Sequence, residues 1–278
     1  MNATRHFAHV NGVRLRYVES GGGTPVVFLH GFPDFSYSWR HQFPKLTKAG
    51  FRCIAPDLRG YNESDKPRRV RDYAIGELVA DVAQLIAKVG DGAAHVVGHD
   101  WGGIIAWHLA MREPQRVRKL VILNAPHPAL FRRELRKGPQ AFRSWYAGFF
   151  QLPFVPELVL SSFHFGLVTR GAARTEQERE IYEEALSQPR GLTSALNYYR
   201  AAFRSMVSRS APSATQPINH KTLVLWGERD RALDQRVLDG LERYVPGVEV
   251  IRFRDIGHWI HIDAPERVNE ELLRFLKS

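Results

Sequence analysis

The sequence holds a single cysteine, Cys53, in 278 residues. One thiol excludes an intramolecular disulfide and any zinc site built on several cysteines. No stretch approaches the roughly 18 consecutive apolar residues of a membrane span. The first residues, MNATRHFAHVNGVRLRYVESG, carry no apolar run of signal-peptide length, so the expected location is the cytoplasm. Internal repeats and low-complexity segments are also missing. Hydrophobic residues make up 44% and charged residues 24%, as in an ordinary globular protein. The length suits one large α/β domain carrying an inserted subdomain. The formal net charge is +10. Its densest run, FRRELRKGPQAFR (131–143), reads as a solvated helix face, and charge dispersed in this way does not point to nucleic acid or to a membrane.

The hydrophobic pattern sets the architecture. HVNGVRLRYVES is a hairpin signal, two short strands about an Asn-Gly turn. TPVVFLHG and FRCIAPDLRG read as buried strands. IGELVADVAQLIAKVG places Ile75, Leu78, Val79, Val82, Leu85, Ile86 and Val89 at helical spacing and closes on Gly90. Then come AHVVGH (strand), GGIIAWHLAMREP (helix), VRKLVILNAP (strand), KTLVLWGERD (strand), VEVIRFRDIGH (strand) and APERVNEELLRFLKS (helix). Strands alternating with helices predict a mostly parallel sheet covered on both faces. The interval 128–213 breaks the rhythm. It reads as several short helices rich in aromatic residues, Phe163 among them, and forms a lid between core segments 1–127 and 214–278. Such an insertion lies over the carboxyl edge of the sheet, where open α/β sheets bind ligands.

HVVGHDWGG (95–103) is a strand running into a turn with Asp100 at its tip. Small residues stand two before the tip and two and three after it. A nucleophile on a sharp strand-to-helix turn needs them, and the helix N-terminus behind it favours an anion. HGFP (30–33) follows the VVFLH strand, in the loop expected to give the second oxyanion amide. The backbone N–H groups of Phe32 and Trp101 form that pair. His258, in DIGHWIHID, follows the last strand where the order nucleophile, acid, histidine places the base. His261 is expected beside a helix or at the surface, and His99 with its ring turned away from the nucleophile. The acid comes from VLWGERDRAL, which offers Glu228, Asp230 and Asp234; Asp230 follows its strand by one turn and is preferred. Asn124 occupies the other topological slot, but an amide carries no charge to stabilise an imidazolium.

HGFP, GHDWGG, GERD and GHW in this order resemble the α/β-hydrolase superfamily across nearly the whole chain and, within it, the soluble epoxide hydrolases. The resemblance extends to the lid. SWYAGFFQLP has the form of the family's first lid-tyrosine segment and assigns that role to Tyr146. LNYYRAAF has the form of the second and assigns it to Tyr199; Tyr198 would point about 100° away on a helix. The resemblance implies an α/β-hydrolase fold with a helical lid, an epoxide hydrolase activity on a hydrophobic epoxide with water as co-substrate, and no cofactor or metal. Trp145, Phe149, His30 and Pro33 are the expected substrate contacts, and the lid surface is one that could support a homodimer.

The chemistry fits a carboxylate. An epoxide offers sp³ carbons, which a carboxylate attacks by displacement from behind, and a carboxylate of ordinary acidity needs no deprotonation at neutral pH. The alkoxide stays tethered and needs a hydrogen-bond donor as the ring opens; tyrosine, protonated at neutral pH, supplies one. A haloalkane dehalogenase shares the fold and the Asp-Trp pair, but Phe32 offers no side-chain donor to a halide there. A fluoroacetate-type dehalogenase would follow the nucleophile with Arg, which DWGGIIAWH lacks. A ligand-binding protein on the same fold would have no need of the acid, base and tyrosine set.

Overall fold

The computed structural model describes residues 3–162, 164–207 and 216–278. Phe163 and the expected lid boundary at 213/214 lie outside the described residues. Eight strands form one sheet among them: β1 Thr4–Val10, β2 Val13–Ser20, β3 Thr24–Leu29, β4 Phe51–Pro56, β5 Ala94–His99, β6 Val117–Leu123, β7 Thr222–Gly227 and β8 Glu249–Phe253. The order is β1-β2-β4-β3-β5-β6-β7-β8. β1 and β2 pair antiparallel about the predicted Asn11-Gly12 turn, β2 pairs antiparallel with β4, and every later pairing is parallel.

Core helices are α1 Phe43–Lys48, α2 Ile75–Val89 and α3 Trp101–Arg112. The insertion between β6 and β7 holds α4 Pro128–Lys137, α5 Gln140–Arg143, α6 Trp145–Phe149, α7 Val155–Ser161, α8 Gly166–Thr169, α9 Glu176–Ser187 and α10 Gly191–Val207. The chain closes with α11 Ile260–Asp263 and α12 Pro265–Lys277. The mostly parallel sheet, the helices on both its faces and the inserted helical region are as the hydrophobic pattern and the resemblance led us to expect. Two lid helices, α9 and α10, run longer than the short helices anticipated.

Side chains of a strand alternate between faces, and the core shows it directly. Val26 and Phe28 of β3 pack with Trp39, Phe43 and the α12 face of Val268, Leu272 and Phe275. Val27 and Leu29 pack on the other side with Leu78, Val82 and Ile86 of α2 and Ile105 and Leu109 of α3. β5 is buried along its whole length, as a central parallel strand must be. The chain leaves β3 toward β4 on one side and returns through β5 on the other, so the sheet reverses direction between them. Open α/β sheets bind ligands outside the carboxyl ends of the strands at that reversal. The register sets Leu29 opposite Gly98, His99 opposite Leu123, and Leu123 opposite Leu225. The loops carrying HGFP, Asp100, Asn124 and Asp230 therefore leave the sheet along one edge. None of the described helices is long and apolar enough to cross a membrane.

Candidate active site

Asp100 lies between the end of β5 and the start of α3 with φ +50° and ψ −121°. A non-glycine residue rarely adopts positive φ, and such outliers concentrate at functional sites. The conformation thrusts the carboxylate out above the sheet edge. It survives because the neighbours are small. A Cβ on Gly102 would lie 2.1 Å from the Leu29 carbonyl oxygen, so α3 could not approach β3 with any side chain there. A Cβ on Gly31 would lie 2.3 Å from Asp100 Oδ1.

Oδ1 of Asp100 accepts a hydrogen bond from the Phe32 N–H at 2.9 Å. Trp101 opens α3, so its N–H is one of the helix-terminal donors without an intrahelical acceptor. Oδ2 of Asp100 faces His258 Nε2 at 3.7 Å. The other imidazole nitrogen, Nδ1, lies 2.6 Å from Asp230 Oδ2. Asp230 is buried and fully bonded: Oδ1 accepts from the N–H groups of Ala232 (2.8 Å) and Leu233 (2.9 Å), and Oδ2 accepts from Asn124 Nδ2 (2.8 Å). Burial pushes the Asp230 carboxyl up, but His258 and these donors more than offset it and hold it below the ordinary carboxylate range. Burial likewise pushes His258 down; the Asp230 carboxylate, with Asp100 and Asp34 beyond it, overrides burial and holds the imidazole at about 9.

Above Asp100 is a cavity of about 320 Å³, walled by Asp100, Trp101, Ile104, Tyr146, Tyr199 and other mostly apolar side chains of α4, α6 and α10. The Tyr146 and Tyr199 ring centroids are 5.9 Å apart at 80°, and Tyr199 stands edge-on to Trp101 at 5.1 Å. Burial first, then the Asp100 charge, pushes both phenols above their ordinary pKa. Each therefore stays a hydrogen-bond donor at neutral pH. Tyr198 points elsewhere: its hydroxyl donates to the Arg59 carbonyl at 2.7 Å.

The expected substrate contacts fare differently. Trp145 is 70% exposed and lies off the cavity wall. Phe149 packs against Phe150 and Trp145 and is not among the residues lining the cavity. His30 is fully buried; Nε2 accepts from the Leu58 N–H and Nδ1 bonds the Gly31 carbonyl, each at 2.9 Å, so its ring pins the loop. Pro33 faces a separate small crevice with Asp34 and Tyr61. The direction of each of these four side chains is set by packing against distant segments, which a local motif does not encode.

Two residues carry more than the sequence suggested. Asn124, set aside as a candidate acid, donates to Asp230 and to the Gly227 carbonyl and accepts from the Gly227 N–H, tying β6 to β7 beneath the acid. Asp34, next to HGFP, is fully buried and accepts from the Tyr182 hydroxyl (2.8 Å) and Trp259 Nε1 (3.2 Å). Its Oδ2 lies 3.6 Å from His99 Nδ1. His99 Nε2 in turn bonds the His258 carbonyl at 3.0 Å. His261, expected beside a helix or at the surface, sits within α11 and is fully buried, its ring packed at a tilt against Trp39 and His99. Asp34, His99 and His261 are the group among the described residues whose donor atoms, all within 4.8 Å of one another, are close enough to share a metal ion. Only adjacency to a motif could have flagged Asp34; nothing local announces a contact across 148 residues to Tyr182.

A family model described as alpha/beta hydrolase fold matches residues 24–265. The chain is 38% identical to the AB hydrolase superfamily protein YfhM of Bacillus subtilis (strain 168), over 98% of this chain and 97% of that one. It is 35% identical to epoxide hydrolase 4 of Mus musculus, over 96% of this chain and 77% of the relative. Among solved structures, it resembles the epoxide hydrolase from Bacillus megaterium in complex with an inhibitor, with a TM-score of 0.91, 34% identity, and coverage of 98% of this chain and 100% of that one. It also resembles the epoxide hydrolase VrEH1 from Vigna radiata, with a TM-score of 0.87, 27% identity, and coverage of 99% and 98%.

Proposed function

The chain belongs to the epoxide hydrolase family of the α/β-hydrolase fold, and on that premise we propose that it converts a hydrophobic epoxide to the vicinal diol through an ester on Asp100. One observation carries the reading. The carboxylate at the strained turn has one oxygen held by a backbone N–H and the other facing His258, and Asp100 lines the same cavity as two tyrosines.

Asp100 Oδ2 attacks a ring carbon from behind as the carbon–oxygen bond breaks. Tyr146 or Tyr199 gives its proton to the departing oxygen, which stays attached to the substrate. The product of this half is an alkyl ester of Asp100. Before it forms, two carboxylates, Asp100 and Asp230, hold the proton on His258. Esterification removes the Asp100 charge and with it part of that hold, so the imidazole releases its proton, which restores the tyrosine, and stands neutral when a base is needed. His258 then takes a proton from water, and the hydroxide adds to the ester carbonyl. The oxyanion forms on Oδ1, which the Phe32 N–H already holds, with the Trp101 N–H at the head of α3 as the second proposed donor. Collapse breaks the acyl carbon–oxygen bond and releases the diol. Of the two water protons, one completes the second diol hydroxyl and the other stays on His258, which returns to its protonated form. The water oxygen stays in Asp100, and the diol leaves with an Asp100 oxygen.

The test is a paired assay. One arm offers styrene oxide and alkyl epoxides and measures diol; the other offers bromo- and chloroalkanes and measures halide; Asp100→Ala is the control. Diol without halide is the expected result. Halide without diol would replace the reading with dehalogenation, and silence in both arms would leave it without support.

A further inference from the structure

Three fully buried side chains meet beneath the site: Asp34 from the loop after β3, His99 at the end of β5 and His261 in α11. A ligand atom of each lies within 4.8 Å of the other two, and Asp34 Oδ2 is 3.6 Å from His99 Nδ1. The proposed mechanism uses none of the three. Their segments carry residues that it does use: Phe32 lies just before Asp34, Asp100 follows His99, and His258 lies just before His261.

The hydrogen bonds around this cluster leave it short of positive charge. A carbonyl can only accept, so the 3.0 Å bond between His99 Nε2 and the His258 carbonyl puts a proton on Nε2. In the neutral imidazole Nδ1 is then a lone pair, and it faces a carboxylate oxygen. Among the described residues Nδ1 has no hydrogen-bond partner, and neither nitrogen of His261 has one. Asp34 is bonded by uncharged groups, the Tyr182 hydroxyl and Trp259 Nε1. No arginine or lysine among the described residues comes within ion-pair distance of it. A buried carboxylate without a counter-charge and buried acceptors without a donor are each costly. One cation between the three side chains satisfies them together.

We propose that Asp34, His99 and His261 bind one divalent transition-metal ion of the zinc type, a structural metal that the family resemblance did not imply. Two imidazole nitrogens and a carboxylate oxygen suit zinc and leave a fourth position for water. Zinc bonds of about 2.0–2.1 Å at tetrahedral angles set ligand atoms about 3.4 Å apart. The Asp34–His99 spacing of 3.6 Å is close to that, and a small movement of His261 completes the set. The outer bonds are those a metal ligand needs. Tyr182 and Trp259 fix the carboxylate, and the His258 carbonyl fixes the His99 tautomer that leaves Nδ1 able to ligate. The ion ties the loop of Phe32, the turn of Asp100 and the loop of His258 to one point. All three ligands are buried, so the ion enters as the chain folds. The site stands independently of the epoxide hydrolase reading.

The test produces the chain without a histidine tag in zinc-supplemented medium, removes loosely held metal by dialysis and counts zinc per chain by plasma mass spectrometry. One equivalent is expected, with a thermal midpoint several degrees above that of chain produced without added zinc. Cobalt in place of zinc is expected to give the visible absorption of a four-coordinate ion. Loss of an outer partner of a metal ligand costs about 10–100-fold in affinity, so loss of a ligand should cost about a hundredfold or more. His261→Gln and Asp34→Asn are therefore expected to purify without zinc and without the rise in midpoint. Anomalous diffraction at the zinc edge from wild-type crystals reads the ligands directly, even if both variants misfold. A wild-type chain that retains no zinc overturns the proposal. So does an ion located at exposed histidines such as His9 and His164, or a full equivalent retained by folded His261→Gln.

Discussion

Asp230→Asn tests the acid–base pair with almost no change in shape. In the wild type Asp230 Oδ1 faces two backbone donors, Ala232 and Leu233, and Oδ2 faces His258 Nδ1 and the Asn124 amide. An asparagine has one acceptor oxygen and one donor amide. Turning the amide toward the two backbone N–H groups would oppose donor to donor twice. The favoured orientation keeps the oxygen there and points the amide at His258 and Asn124. That amide can donate to Nδ1 only if Nδ1 carries no proton, which places the imidazole proton on Nε2, the atom facing Asp100 at 3.7 Å. Nε2 then cannot accept a proton from water. An inverted tautomer and a lost counter-charge in such a pair cost about 10³–10⁴-fold in turnover, or about 4 to 5.5 kcal/mol in activation free energy. Ring opening by Asp100 needs no base and should persist. We expect a burst of about one equivalent of epoxide consumed, an intact-mass gain of one substrate, and almost no diol afterwards. The same amide opposes the Asn124 donor, so a stability loss of about 1–3 kcal/mol is expected in urea. Steady diol production near the wild-type rate would refute the pairing of Asp230 with His258. Loss of the burst in a folded variant would refute the separation of ring opening from ester hydrolysis.

Tyr146→Phe and Tyr199→Phe should each slow the burst phase by about 10–100-fold, and the double variant should nearly abolish it; full activity in the double variant would remove both residues from the mechanism. A single turnover in ¹⁸O-labelled water should place the label in the peptide containing Asp100 and leave the first diol unlabelled, whereas label in that diol would mean direct attack of water on the epoxide. Gly102→Ala should destabilise the protein by about 3 kcal/mol or more, read from the urea midpoint, because the added methyl meets the Leu29 carbonyl and backbone must move. His258 is held at about 9 in the fold, above its ordinary value of about 6.5. Its protonation therefore contributes stability that is full below pH of about 6.5 and lost as pH rises through about 9, on the order of 3 kcal/mol. The difference in unfolding free energy between wild type and His258→Gln should shrink across that window, and a difference that stays constant would mean that His258 is not held protonated.

Much of this protein is legible without coordinates. The buried strands VVFL and HVVGH, the Asn-Gly hairpin and the 3.6-residue period of α2 follow from local sterics and from which residues avoid water. The turn at Asp100 is legible for the same reason: its small neighbours are a local requirement of the backbone, and Gly102 can be read as a close approach before the approach is seen. Proximity of Asp100, Asp230 and His258 follows from strand order, because parallel strands deliver their carboxyl ends to one edge.

Tertiary packing alone decided where individual side chains point. Tyr198 and Tyr199 are neighbours of one chemistry, but the rotation of α10 against the core turns one hydroxyl to the Arg59 carbonyl and the other ring to the cavity. His30 and Trp145 looked equally suited to a substrate pocket; packing locked the first into a loop and left the second in solvent. Asn124 became the support of Asp230, and Asp34 found Tyr182 and Trp259, across separations no short pattern encodes. The sequence by itself determined what each segment does with its own backbone and its own apolar face, because those are contests among neighbouring residues and water. Which polar atoms met was decided only when distant segments were brought together, because a hydrogen bond depends on the position of both partners and each segment carries only one.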